Sequence, residues 1–569
     1  MRIVSVLLIL LLVAAACRAV AAEPTPSQRA RLLYAGEAAF QQTLQALDTF
    51  ISTNQHVPTT QDCAAIMSNI VTFASNSFAD LTLMTMVVTN LASYLTNDYQ
   101  NGSYRIAPIT VQIAVALTTD TNLSAAVNRS VHARYLSLFD YSMFVDGPLY
   151  LVVDKEMRVS GAVHANGILT LGGPLPQYGM GLSICGFTTC ASNIYCIANP
   201  DRVYLTNVGS AFSAGGMASM NWYGMVLDCS NANWRELSDQ VWNGGVRSAV
   251  HGVKPLCPIP CISNNPHALI DLPDSNDSPA IAAVKFSNRA GVRVLTNGVI
   301  QRYVGGATPY QDTGARAGSV TWLTTNQYFW NPVVSNWVRP WDVDVALFKT
   351  WAAANAAYGF VSNQATAGIL YIAAPTNKSY HAVRLKNGGT AIPNPVFPGG
   401  VSNGFVVVTH NPLYIWGYYN RYAAFHVDSD AHALCAGDSI TVLSDGWTDG
   451  HTPSMTLPLA DNTEYWTSIL TGLCTNRYLS ESVDRVGCID SLPRHIENWP
   501  GVGMGGNKSI HGTIAALWMA KYNAFEVTSV TNSPSRYWVF DSKFASPAAP
   551  ILFKFDINIP NWRHTESRQ

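Results

Sequence analysis

Two acidic pairs are the residues of this chain best suited to chemistry. Asp428-Ser-Asp430 sets two carboxylates on the same side of an extended segment, with His426 and His432 on its flanks. Such a group can hold a calcium ion, or give an acid and a base to a glycosidic bond. The plainer alternative is a solvated loop ahead of the apolar run near Leu434. Asp342-Val-Asp344 lies close to Trp337 and Trp341, whose ring faces can stack on a sugar. Here the plainer alternative is a helix cap, since Asp suits the N-terminus of a helix running through Ala346 to Ala357. The chain has no Gly-x-Ser-x-Gly elbow and no His-Glu-x-x-His, and Gly501-Val-Gly-Met-Gly-Gly506 is a connector, not a phosphate loop. No catalytic residue and no cofactor is expected.

The compartment sets what the cysteines can do. Arg2, an apolar run from Ile3 to Ala16 and the small residues Ala19-Val-Ala-Ala22 read as a secretory signal over residues 1–22, because the run is too short to span a bilayer stably. The mature protein is therefore expected to be secreted or to lie in the extracytoplasmic cell envelope. Loss of Arg2 and Arg18 takes 34 basic residues to 32 against 36 acidic ones, which offers nucleic acid no basic surface. With 48% apolar and 12% charged residues, the chain has ample material for a large core.

Cys17 leaves with the signal. The other cysteines are Cys63, Cys185, Cys190, Cys196, Cys229, Cys257, Cys261, Cys435, Cys474 and Cys488, an even set that in an exported chain favours disulfides over metal. Only His251 and His267 lie near Cys257 and Cys261, which does not make a zinc spacing. Pro258 and Pro260 bias the intervening backbone towards extension and separate the two Cα atoms. Cys257 and Cys261 are thus expected to pair with Cys229 or with one of Cys185, Cys190 and Cys196, and not with each other.

These groups need a scaffold, and residues 146–173 suggest it. Leu149 to Val153, Met157 to Val159 and Ile168 to Leu171 are short β-rich runs, with corners at Gly161, Gly167 and Gly172. Runs this short cannot each bury a face alone. Stacked coils of an interrupted, β-helix-like solenoid fit best, a β-sandwich or hairpin meander being the alternative. Gly291 to Ile300, Gly404 to Asn420, Leu434 to Leu443 and Ser509 to Leu517 repeat the logic. Residues 23–100 differ: Ser27 can cap a helix through Leu32, Phe40 and Leu47 that ends at Pro58, and a second helix is expected from Thr60 through Ile66, Ile70, Leu81 and Met84 towards Leu95. The expected organisation is signal 1–22, helical region 23–100, β-rich body with insertions 101–400, and C-terminal β coils with helical and loop insertions 401–569.

Several stretches occur in an order that resembles large exported bacterial proteins grouped with PilX-type pilus-assembly proteins. They are His251-Gly-Val-Lys-Pro-Leu256, Ala382-Val-Arg-Leu-Lys-Asn-Gly388, Gly437-Asp-Ser-Ile-Thr-Val-Leu-Ser-Asp-Gly-Trp447, Leu492-Pro-Arg-His-Ile-Glu-Asn-Trp499 and Pro534-Ser-Arg-Tyr-Trp-Val-Phe-Asp541. The likeness covers roughly residues 145–569. It implies a surface or cell-envelope protein, pilus-associated, acting in assembly or adhesion, with other envelope or pilus proteins or further copies of itself as partners. The Gly-Phe-x-x-x-Glu junction of a prepilin is absent, so export and a surface role are what carry over. Arg384-Leu-Lys386 is similar to a basic pair of pectin hydrolases, but the Asn-Thr-Asp and Asp-Asp motifs of those enzymes are missing. The alternative function is a glycan-binding protein or polysaccharide-active enzyme on a β-helix.

Overall fold

In the computed structural model the protein is mainly β with a helical N-terminal region. The structure describes residues 25–558 except 55–57, 59, 78–79, 91–93, 99–101, 120–123, 177–180, 208–215, 257–261, 307, 356–359, 361–367, 376–379, 391, 396–403, 423–426, 429–430, 479–484, 500–506, 523–524, 529–532 and 541–552.

Helix α1 spans Pro26–Asn54 and helix α2 spans Thr60–Ser77. Thr25, rather than Ser27, caps α1: its hydroxyl accepts from Gln28 N at 3.3 Å, and its own N–H donates to the Gln28 side chain at 2.9 Å. Leu32, Ala35, Ala39 and Leu47 recur at helical spacing and are buried with Ile66 and Ile70 of α2. They cover a sheet of two long antiparallel strands, Gly102–Leu117 and Ser124–Ser137. The expected helix beyond Ser77 is corrected here. Leu81–Asn90 and Tyr94–Asp98 are strands paired with Gly102–Leu117, because Thr82, Thr85, Val87, Val88 and Thr89 are β-branched and suit a pleated surface better than a helix.

From Met143 the chain passes through three walls in rotation. Met143–Val145, Leu149–Val152 and Met157–Ser160 lie one in each wall, and Val163–Ala165 returns to the first, parallel to Met143–Val145. Over the described residues 292–443 its wall strands alternate between the first wall and the second, which holds Asn336–Asp344, His381–Lys386, Leu413–Trp416, Ile440–Leu443 and Arg494–His495, and the third wall returns at Thr463–Trp466. One inward row of the first wall runs through Val292, Leu370, Val407, Cys435, Ile469, Ile514, Met143, Val163, Thr188 and Val246. Every apolar member of that row is fully buried, and each such side chain contributes about 1.5–3 kcal/mol through burial.

That row also gives the order of the strands, which is not the order of the chain. Strands 143–247 advance towards one end. A crossover, described over residues 248–256 and 262–291, then returns along the outside of the first wall to the other end, and strands 292–539 advance again until Ile514–Met519 and Ser535–Val539 pair with Met143–Val145 and Met157–Ser160. The late strands therefore precede the early ones along the stack. The expected boundary at residue 400 falls inside this ladder, since Ile369–Ile372 pairs directly with Phe405–Val408.

Two corner glycines show what the tight turns need. Gly161 has φ +126°, a backbone state that disfavours side chains. Gly167 has no such φ, yet a Cβ there would lie 2.5 Å from Pro148 N in the adjoining turn of chain. At Gly167 the requirement is close approach of two backbones. Gly291 to Ile300 differs from the other run-corner-run segments: Val292–Val294 and Val299–Tyr303 form an antiparallel hairpin within one sheet.

Among the described residues no disulfide is at bonding distance, and Cys63, Cys185, Cys190, Cys196, Cys229 and Cys435 are free thiols, in contrast to the pairing expected of an exported chain. They stand on separate elements and use their sulfurs locally; Cys190 Sγ, for example, donates to Gly167 O at 2.8 Å. Cys257 and Cys261 lie outside the described residues. Burial pushes the thiol of Cys190 up to about 11 and those of Cys196 and Cys435 up to about 12. In the folded protein at pH 8 these three should alkylate about 100-fold more slowly than in urea, as timed iodoacetamide labelling and mass spectrometry will show. Equal rates would contradict the burial.

Candidate functional site

The crossover and the first wall enclose a cleft of about 570 Å³, lined among others by Asp271, Asp274, Asp277, Lys285, His410 and Tyr522. Local sequence shapes its rim. Pro266 opens the 3₁₀ turn Pro266–Ile270, and Ser278 caps the helix Pro279–Val284 by accepting from Ile281 N at 3.3 Å, with Pro279 at the first helical position. Leu269, Ile270 and Phe286 then bury against Tyr371, Val408 and Leu470 on the outer face of the wall.

His267 is buried behind the cleft wall, beside the lining residue Asp271. Its Nδ1 lies 2.8 Å from Asp271 Oδ1 and its Nε2 lies 3.2 Å from Asp438 Oδ1. The first contact is too poorly aligned for a hydrogen bond and acts as a charge pair. Asp438 is fully buried at the corner between Ala433–Ala436 and Ile440–Leu443, and its carboxylate also accepts from the backbone N–H groups of Lys521 at 2.5 Å and Tyr522 at 3.0 Å. Burial opposes the charge on His267, but Asp271 and Asp438 outweigh it and raise its pKa. For Asp271 burial is likewise outweighed, by His267 and Lys521, and its pKa falls. Asp271 is thus held as a carboxylate, which suits binding and does not suit a proton donor.

His410 has the opposite character. Burial lowers it to about 4, so it is neutral. The Tyr371 hydroxyl donates to Ile270 O at 2.9 Å and lies 3.2 Å from His410 Nδ1, which assigns the ring proton to Nδ1 and leaves Nε2 as an acceptor. Lys285 is spent on Asp277 at 2.6 Å and on Leu272 O at 3.0 Å. The cleft therefore offers carboxylates, a neutral imidazole and a phenol, a set that fits a hydroxyl-rich or cationic ligand.

A second tie pins the start of the crossover. His164 contacts Thr189 Oγ1 at 2.8 Å and Asn166 Oδ1 at 2.9 Å, and the Asn166 amide donates to Asp146 at 2.6 Å and to Leu256 O at 2.7 Å. Burial lowers His164 to about 4 as well. An unfolded histidine titrates near 6.5. Both folded values are depressed, so the stability that each neutral ring contributes is present above about pH 6.5 and is lost as pH falls towards 4. The full loss is roughly 3 kcal/mol per histidine. Urea midpoints at pH 6.5 and 4.5 measure the slope, and His410→Gln should flatten it; an unchanged slope would exclude His410 as a cause.

The residues expected from sequence fare unevenly. Asp344 is the helix cap, its side chain accepting from Leu347 N at 2.9 Å at the start of Val345–Ala354. Asp342 is buried and paired with Arg384. Trp341 does not form a sugar platform with Trp337: it lies in the wall segment that pairs with His381–Lys386, points into the core and is 6% exposed. Trp337 belongs to the hairpin with Phe329–Asn331 that precedes that segment; it is 37% exposed, with Tyr328 and Trp330 at centroid distances of 5.4 and 5.6 Å. Asp428 sits in a two-residue strand, Val427–Asp428, paired with Arg421–Tyr422, and Asp430 lies outside the described residues. No group of three or more metal-ligating side chains occurs among the described residues.

Sequence reasoning missed the His267 constellation. The spacing of His267 and Asp271 on a turn opened by Pro266 was the available signal, whereas Asp438 is 171 residues away in sequence. Among the described residues no helix is long and apolar enough to cross a membrane. No protein-family model, no curated protein and no solved structure matches the chain.

Proposed function

We propose that the protein is an exported structural protein of the surface or cell envelope, acting in assembly or adhesion, with an interrupted β-solenoid as its body. The observation that supports this reading is how the chemistry-bearing side chains are used. His267 with Asp438 and Asn166 with Leu256 fasten the crossover to the wall it runs along, His164 orients Asn166, Lys285 ties the crossover to itself, and Asp271 is kept as a paired carboxylate. A scaffold held this way presents a surface and does not need turnover. The pilus-associated role follows from the resemblance of residues 145–569 alone, and the partners it implies are other envelope proteins or copies of this chain.

The test combines turnover with assembly. The mature chain, incubated with a polysaccharide panel, should release no product, and sedimentation should reveal self-association or co-sedimentation with cell envelopes. Robust cleavage abolished by Asp271→Asn would overturn the reading. So would a monomer that ignores envelopes.

A second reading rests on one observation, the aromatic cluster of the exposed Tyr328 and Trp337 with the half-buried Trp330. Rings presented this way stack on sugar faces, and in this reading a glycan is the adhesion target of the same protein acting as a lectin. Glycan-array binding that falls at least tenfold in Trp337→Ala would establish it, and equal binding by both proteins would remove it.

A further inference from the structure

Where the last strands of the chain meet the first, the inward lining changes from apolar to cationic. Lys508 pairs in register with Arg536 and Arg536 with Met157, a core residue, so both basic side chains face inward on the third wall. His495 pairs with Val442, another core residue, on the second wall. Lys155 joins them, its ammonium donating to Trp499 O at 3.2 Å, while that of Lys508 donates to Pro493 O at 3.3 Å. None of Lys155, His495, Lys508 and Arg536 is more than 5% exposed.

The charges and donors at this place do not close among themselves. Against the basic side chains of Lys155, Lys508 and Arg536 stand two acids: Asp490, bound to Arg536 Nη2, and Glu497, which accepts from the backbone and hydroxyl of Ser444. Burial holds Lys508 well below its ordinary pKa and raises Glu497 to about 7. Arg536 Nε and Nη1, the indole N–H groups of Trp499 and Trp538, and both ring nitrogens of His495 are buried without a hydrogen-bond partner. Asp154 lies 4.0 Å from Arg536 Nη1, too far for a hydrogen bond. Buried donors left unmade carry a desolvation cost, and native proteins rarely collect several at one point. A group of oxygens with negative charge would accept from the guanidinium, the indoles and the one N–H of a neutral His495, and would draw the buried lysines to their charged form.

We propose that these residues form a binding site for a small tetrahedral oxyanion, of the phosphate or sulfate type, inside the winding between Arg536, His495, Lys508 and the indole N–H groups of Trp499 and Trp538. Burial first, then the charges of Lys508, Arg536 and Lys155, hold His495 far below its ordinary pKa, which places these four groups within electrostatic reach of one another. The site joins the two ends of the chain's path, since Lys155 precedes the first strand of the third wall and Arg536 lies on the last.

Inorganic phosphate and sulfate are the probes, titrated into the mature chain after dialysis into chloride at constant ionic strength. Isothermal titration should show saturable binding, and the thermal midpoint should rise by about 2 °C or more and then level off. Trp538→Phe keeps an aromatic side chain but removes the indole N–H donor and should weaken binding about tenfold. Excluded anions also stabilise proteins, but without saturation. No saturable heat in the unaltered protein would overturn the proposal, whether or not the variant folds. A non-saturating rise shared equally by both proteins would overturn it too.

Discussion

Arg384→Met is expected to destabilise the protein by about 3–5 kcal/mol. The guanidinium is fully buried and forked on both sides: Nε and Nη2 each lie 2.8 Å from Asp342 oxygens, while Nη1 and Nη2 lie 2.6 and 2.9 Å from Asp449 oxygens. It also sits over the rings of Phe329 and Trp416, at 4.8 Å for Trp416. Methionine fills much of the volume but strands Asp342, 1% exposed, with only the half-exposed Lys386 at 3.4 Å. Arg384→Lys keeps the charge and loses the fork, so its cost should be smaller but still measurable. Asp342→Leu added to Arg384→Met should recover part of the loss by removing the stranded carboxylate. Urea unfolding of the four proteins checks the series, and a wild-type midpoint for Arg384→Met would refute it.

Asp438→Asn should cost a similar amount, about 3–5 kcal/mol, with a pH signature. Asparagine keeps one acceptor for the N–H groups of Lys521 and Tyr522 and turns a donor towards the other, while His267 loses the carboxylate at 3.2 Å. The folded pKa of His267 is raised above the unfolded value near 6.5. The stability it contributes is therefore fully present below pH 6.5 and is lost as pH rises through its folded pKa. Removing Asp438 weakens that contribution, so the variant's deficit should be larger at pH 6 than at pH 9. Chemical denaturation at the two pH values measures it, and equal deficits would show that His267 carries no charge in the fold.

What sequence could reveal follows from how local the signal is. The runs at Leu149, Met157 and Leu434 were legible because apolar β residues and glycine corners lie side by side, and Asp344 was legible as a cap because it precedes its own helix. The long strands Gly102–Leu117 and Ser124–Ser137 and the strands at Leu81 and Tyr94 were not, since a periodic apolar pattern near a helix invites extension of that helix. Trp341 misled because strand alternation decides which face a ring takes, and that depends on which segment joins the wall. The His267 site was least legible. One acid is a helical turn away, but the other reaches it only because the crossover runs back past the corner at Asp438, and a short β run does not say which other run it will lie beside.

The permuted strand order has a consequence for assembly. When residues 143–247 have been made, the open sides of Met143–Val145 and Met157–Ser160 have no partner until Ile514–Met519 and Ser535–Val539 arrive. Through most of synthesis these early strands thus present bare edges, the kind of edge that recruits foreign chains, and the slowest contacts to form are those of longest loop. The last strands act as a keystone: a chain cut short before Ile514 would keep its inner ladders but leave the early edge unsealed, free to capture the equivalent strands of another molecule.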